Sequence, residues 1–241
     1  MDIPVVVLCG GRGTRLRERT ESLPKALVEI GDQPILWHVI SIYVAQGFRR
    51  FLLCTGYKGE MIGDWADGVR WPGDTVVECV GTGPDTPTGG RVKLIEDRLD
   101  GRFCLTYADG VADIDLGGLL AAHEAGDRLG TVTVVRPTLQ FGVTDLGEGD
   151  EVRGFDEKPR LDSWINGGFF CFERGFLSYL SEDSVLEREP LERLAADREL
   201  GAYRHRGFWD CMDTYKDSVL LNDLWASGSP PWKVWASEPV S

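Results

Sequence analysis

The chain is 241 residues long, 42% hydrophobic and 27% charged, with a formal net charge of −13. That length and apolar content suit one packed α/β domain and exclude a disordered chain. The acidic balance argues against a nucleic-acid backbone or an anionic membrane as partner, and no stretch reaches the ~20 apolar residues that a membrane span requires.

The opening Met1-Asp2-Ile3-Pro4 lacks the basic start of a secretory leader. Six cysteines (Cys9, Cys54, Cys79, Cys104, Cys171, Cys211) stand far apart without a C-x-x-C, which predicts free thiols and a cytoplasmic setting. His38, His123 and His205 form no ligand cluster, so zinc is not expected.

Val5-Val6-Val7-Leu8 is a β-branched run that reads as a buried parallel strand, and Gly10, Gly11 and Gly13 then open a basic turn. Glycine lets successive backbone N–H groups curl around an anion. Arg12, Arg15 and Lys25 add positive charge within the same span, which points to a polyphosphate. Neither familiar phosphate loop fits. No Lys-Ser or Lys-Thr follows the glycines, and Leu16 stands where G-x-G-x-x-G needs its third glycine. The bland alternative is a tight turn with surface arginines.

Farther on, Ala26 to Ile30 is a short apolar piece turned by Gly31-Asp32, and Pro34 suits the first turn of a helix running to about Gln46. Phe51 to Thr55 reads as a core strand, Met61 to Trp65 as a short helix and Thr75 to Val80 as a third strand. The breaker-rich segment Gly81 to Gly90 opens onto a helix whose start at Thr88 to Gly90 is either a second anion or base-edge site or an ordinary loop. Phe103 to Tyr107, a helix from Leu116 to about Glu124 and Thr131 to Val135 complete an alternation of strands and helices. That pattern predicts a Rossmann-like, doubly wound, mostly parallel sheet. Ligands of such sheets bind beyond the carboxyl ends of the strands, where the glycine loop and Asp109 would sit.

From about residue 136 short strands are expected around 141–144, 152–155 and 165–170. Two helices, a strand near Tyr203 and a last helix ending near Ser227 follow. The chain then reads as a single unit of residues 1–241, with a nucleotide-binding half (1–135) and a small β-rich sugar-binding half (136–241). The tryptophans of the tail are expected to pack on the body or on another subunit.

Asp109, at a strand end before Gly110, and Asp213, in W-D-C-M-D-T, are the two carboxylates best placed to hold a divalent cation against a polyphosphate. Mg²⁺ commonly takes only one or two protein carboxylates. Each could instead cap a helix, and Asp113 and Asp115 are read as caps or turn residues. In Glu157-Lys158-Pro159 the proline is expected to hold Lys158 extended and so aim it. Asn166-Gly167-Gly168 offers an amide and open backbone to sugar hydroxyls.

Taken in order, G-G-x-G-T-R, P-K, T-G-G-R, Y-x-D-G, E-K-P, N-G-G-F-F and W-x-x-M-D-T resemble the signature of the sugar-phosphate nucleotidyltransferases, and most closely their glucose-1-phosphate cytidylyltransferase branch. The resemblance covers nearly the whole chain. It implies attack of a sugar 1-phosphate oxygen on the α-phosphorus of a nucleoside triphosphate, with Mg²⁺, CTP and glucose 1-phosphate as the expected participants and a homo-oligomer as the assembly. It places Leu8, Gly10, Gly11, Gly13, Thr14, Thr88, Gly89 and Arg91 on the nucleotide, and Arg15 and Lys25 on its phosphates. Asp109 and Asp213 would hold the metal and Lys158 the sugar phosphate. Gly110, Glu157, Asn166, Gly168 and Trp209 would line the sugar. Two features depart from the pattern: the segment from Trp65 to Thr88 is short, and Ala108 replaces a glycine before Asp109. Another sugar or a cyclitol phosphate, or GTP, UTP or dTTP, stays open. So does a catalytically silent nucleotide-sugar-binding subunit.

Overall fold

A computed structural model describes residues 1–13, 16 and 22–235. Thr14 and Arg15 lie outside the described residues.

The first strand, β1 (Val5–Leu8), shows why its run is unbroken in hydrophobicity. Its side chains alternate: Val5 and Val7 enter one buried cluster, Val6 and Leu8 another on the opposite face. A strand covered on both faces has no polar side to show. β2 (Arg50–Thr55) and β4 (Phe103–Tyr107) flank β1 in parallel register and split their residues between the two clusters in the same way.

Helices α1 (Ile35–Ala45), α2 (Gly59–Gly68) and α3 (Thr88–Leu94) connect these strands with β3 (Val76–Gly81), which pairs in parallel with β2. Before α1, Lys25–Leu27 form a 3-10 turn and Glu29–Ile30 pairs with Gln33–Pro34 in a tight hairpin, where a single short apolar piece was expected. β5 (Gly110–Ala112), α4 (Leu116–Gly126) and β6 (Gly130–Val135) follow. Asp115 caps α4, accepting from the Gly118 N–H at 2.8 Å, as expected of it.

The second half joins the same sheet. β7 (Val143–Leu146) and β8 (Val152–Asp156) make a separate antiparallel hairpin, but β9 (Ile165–Phe172) runs antiparallel between β6 and β4. After α5 (Glu189–Ala196), β10 (Leu200–Arg204) adds in parallel to β6. Among the described residues the main sheet therefore has seven strands in the order β10-β6-β9-β4-β1-β2-β3. The sheet is mostly parallel, as predicted, with one strand reversed at its centre.

β11 (Trp209–Cys211) pairs antiparallel with β5, and α6 (Tyr215–Ala226) follows behind a capping box of Thr214 and Asp217. The tail packs on the body. Trp232 is fully buried and stacks on Phe208, and its indole N–H donates to His38 Nδ1 at 3.4 Å.

Candidate active site

The carboxyl ends of β1 and β4 open on a cavity of about 410 Å³. Leu8, Gly10, Gly11, Gly13, Lys25, Thr88, Arg91, Asp109 and Asp213 all line it. The strands deliver the glycine loop and Asp109 there by topology, since the two chain segments leave adjacent parallel strands on the same edge.

Asp213 arrives by a different route. β5 begins right after Asp109 and β11 ends two residues before Asp213, and the antiparallel pairing sets Gly110 opposite Cys211. The Met212 N–H donates to the Asp109 carbonyl at 2.9 Å. Two residues separated by 104 positions of sequence are thus brought together by one short ladder. The capping of α6 is done by Thr214, not Asp213. The Asp213 carboxylate instead meets Lys25.

Lys25 Nζ lies 2.5 Å from Asp109 Oδ2 and 2.7 Å from Asp213 Oδ1. Burial alone would lower its pKa, but Asp109 and then Asp213 outweigh that and hold the ammonium above its ordinary value. Burial, with Asp213 and Asp109 behind it, pushes the neighbouring Cys211 thiol up to about 12, so it stays neutral. Two carboxylates that reach one ammonium nitrogen can also reach one small cation. The pair matches the sparse donor set that Mg²⁺ accepts. Among the described residues no group of three or more acidic, His or Cys side chains could hold a metal.

Arg91 differs from expectation. Its side chain is almost fully buried, with Nη1 donating to Thr55 O, Thr82 Oγ1 and Gly83 O at 3.0, 2.7 and 2.8 Å, and Nη2 to Gly10 O at 3.1 Å. Burial lowers its pKa. The guanidinium ties the glycine loop to the ends of β2 and β3. A Cβ on Gly10 would lie 2.1 Å from Arg91 Cζ, so this glycine is needed for the side chain that passes over it. Gly89 and Gly90 pack on Glu182 and Ser184, and the Gly90 N–H donates to Ser184 O at 3.0 Å. Gly89 does not line the cavity, whereas Thr88 and Arg91 of the same helix do.

Sequence reasoning missed Tyr107 and Glu187. The Tyr107 hydroxyl donates to Glu187 Oε1 at 2.5 Å and the Thr88 hydroxyl to Glu187 Oε2 at 2.7 Å, which seats α3 against the end of β4. Burial and then Glu187 raise the Tyr107 pKa. The tyrosine of Y-x-D-G was a usable signal, but Glu187 sits in an ordinary charged run, Glu187-Arg188-Glu189. Arg12 is exposed and paired with Asp85 at 2.7 Å.

None of the residues expected on the sugar lines this cavity. Lys158 and Trp209 line a second one, whereas Gly110, Glu157, Asn166 and Gly168 line neither. Lys158 is not extended: its φ of 50° is left-handed, at a cost of about 1 kcal/mol. Glu157 is exposed, 3.9 Å from Lys158 Nζ. The Asn166 side chain accepts from the Gly168 N–H at 2.8 Å, and Trp209 donates to Gly167 O at 2.7 Å. Gly168, at φ 80°, backs onto the Tyr107 ring.

Comparison with known proteins decides the family, because the nucleotidyl transferase model matches residues 4–209. The chain belongs to the nucleotidyl transferase family. Its resemblance to the cytidylyltransferase branch is borne out as well. A probable glucose-1-phosphate cytidylyltransferase of Bacillus subtilis is 40% identical over 95% of this chain and 99% of its own. The glucose-1-phosphate cytidylyltransferase of Salmonella typhimurium is 39% identical over 95% and 98%. A mannose-1-phosphate guanyltransferase of Gibberella zeae is 30% identical over 92% of this chain and 64% of its own. Among solved structures, HddC from Yersinia pseudotuberculosis has the same fold, with a TM-score of 0.72 at 21% identity over 92% of this chain and 99% of its own. Nucleotidyl transferases of this kind generally use a divalent metal. No helix among the described residues is long and apolar enough to cross a membrane.

Proposed function

We propose that this nucleotidyltransferase moves the nucleotidyl group of CTP to a sugar 1-phosphate, glucose 1-phosphate being the simplest acceptor, and releases pyrophosphate. One observation carries the reading. Lys25, Asp109 and Asp213 converge beneath the glycine loop, where a triphosphate would meet one fixed ammonium and two carboxylates.

A phosphate monoester is already an anionic nucleophile, so no general base is needed, and catalysis reduces to alignment and charge neutralisation. The N–H groups of Gly10, Gly11 and Gly13 cradle the phosphates, with the loop tied by Arg91 at the Gly10 carbonyl. Lys25 then turns from its carboxylates toward a phosphate oxygen. Asp109 and Asp213 are the residues that would hold Mg²⁺, and the ion would supply positive charge against the departing pyrophosphate. Thr14 and Arg15 are proposed on the nucleotide, and Leu8 and Thr88 beside it. Lys158 would hold the sugar phosphate, and Trp209, Asn166, Gly168, Gly110 and Glu157 the sugar. The six free cysteines support a cytoplasmic setting. A homo-oligomer is proposed from the hairpin of β7 and β8, whose Leu146, Val152 and Phe155 are all more than half exposed.

Pyrophosphate release measured across CTP, GTP, UTP and dTTP with several sugar phosphates tests the reading. Turnover greatest with CTP and a sugar 1-phosphate is expected. Nucleotide binding with no pyrophosphate from any pair would overturn it in favour of a silent binding subunit.

A further inference from the structure

The second cavity, of about 600 Å³, takes Trp209 and Asp210 from β11, whose chain runs on to Asp213 in the first. Its charge is out of keeping with the molecule. In a chain with 26 Lys and Arg against 39 Asp and Glu, five cations (Arg136, Lys158, Arg160, Arg206, Lys216) line this one space. Among the described residues the only carboxylate that lines it is Asp210, and burial raises the pKa of that group.

The cations are also drawn together at a cost. The guanidinium carbons of Arg136, Arg204 and Arg206 stand 5.6, 5.6 and 5.7 Å from the centre of the Trp164 ring. An indole attracts each of them but does not cancel their repulsion. Arg136 pairs with Asp162 at 2.7 Å, a carboxylate that is itself fully exposed. Arg160 is aimed by neutral acceptors, the carbonyls of Arg136 at 2.8 Å and Arg206 at 3.4 Å, and Lys216 by Gln140 at 2.9 Å. Among the described residues none of Arg160, Arg206 and Lys216 forms an ion pair. Such a site lowers its own energy by taking an anion.

A sugar 1-phosphate brings a single phosphate, which in the reaction must lie toward Asp109 and Asp213 and needs no more than Lys158 on this side. Four further cations are then left for the other end of the acceptor. We propose that the acceptor which this cavity selects is a sugar or cyclitol phosphate carrying a second anionic group, a phosphate or a carboxylate, gripped by Arg136, Arg160 and Arg206. The inference rests on the transferase reading above and narrows its acceptor.

The test compares kcat/KM for glucose 1-phosphate, glucose 1,6-bisphosphate and glucuronic acid 1-phosphate, in the full chain and in Arg206→Gln and Arg160→Gln. At least one of the two acceptors with a second anionic group should exceed glucose 1-phosphate by about tenfold or more, as one charge-assisted contact allows. In both variants that ratio should fall toward one, and which acceptor leads tells a phosphate pocket from a carboxylate pocket. Turnover with glucose 1-phosphate equal to or better than with both others overturns the inference and leaves the transferase reading intact. If no acceptor yields pyrophosphate the transferase reading fails instead. Calorimetry then decides the inference by itself: tighter binding of glucose 1,6-bisphosphate than of glucose 1-phosphate, lost in Arg206→Gln, upholds it, and equal binding overturns it.

Discussion

Acidification should loosen this fold through His38. The imidazole is fully buried on α1, with Nε2 3.0 Å from Ile30 O and Nδ1 facing the Trp232 indole N–H at 3.4 Å. Both contacts suit the neutral ring with its proton on Nε2. Burial pushes the pKa down to about 4 from the ordinary 6.5. Because the folded value lies below the unfolded one, the unfolded chain binds the proton first as pH falls. Stability is therefore full above about 6.5, declines through the window to about 4, and the loss is complete below that. The gap of about 2.5 pH units corresponds to about 3 kcal/mol. Urea unfolding of the wild type and of His38→Gln at several pH values from 7 to 4 reads this directly, since other titrating groups cancel in the difference. The wild type should lose about 3 kcal/mol more than the variant across that range. Curves that stay parallel to within ~0.5 kcal/mol, or an NMR titration of His38 near 6.5, would refute the reasoning.

Three substitutions bear on the site. Asp109→Asn should abolish pyrophosphate release while leaving the melting temperature nearly unchanged, because a strand-end side chain on a cavity adds little to the core; retained turnover would remove the metal role given to it. Lys25→Ala should lower kcat/KM for the triphosphate by about tenfold to a hundredfold, the size of one lost charge-assisted contact, and steady-state kinetics at varied CTP will show it. Arg91→Met should act mainly on stability, since it removes four hydrogen bonds from a buried side chain and leaves the Gly83 carbonyl without its donor, while Tyr57 and Thr82 still serve the Gly10 and Thr55 carbonyls. A loss of at least ~3 kcal/mol, or roughly 6–12 °C by thermal melting, is expected for a chain of this size. An unchanged melting temperature with a raised KM for the triphosphate would instead make Arg91 a phosphate ligand.

Much of the sheet could be read from the chain because its strands are buried on both faces, and a run such as Val5 to Leu8 has few other fates. The meeting of Asp109 with Asp213 was legible only as the demand of a chemistry that needs two carboxylates. The ladder that produces it, three residues of β5 against three of β11, has no local signal. Ile165 to Phe172 was readable as a strand, yet nothing in its residues says that it lies reversed between β4 and β6. Arg91 beside glycines looks like an anion binder until the fold shows four acceptors converging on it. Lys158 was misjudged for a similar reason. A following proline discourages the right-handed helical region, but tertiary contacts chose the left-handed one over the extended.

The reversed strand at the middle of the sheet has a consequence for how the molecule is made. Until residue 172 has left the ribosome, the side of β4 that faces away from β1 lacks its neighbour, and Phe103 and Leu105 lack the phenylalanines Phe170 and Phe172 that share their cluster. Synthesis order and spatial order disagree here, so the nascent amino-terminal portion must wait, sticky along one border, for a later segment to thread beside it. Chains released early, near residue 160, should accumulate as aggregates rather than as a smaller functional protein.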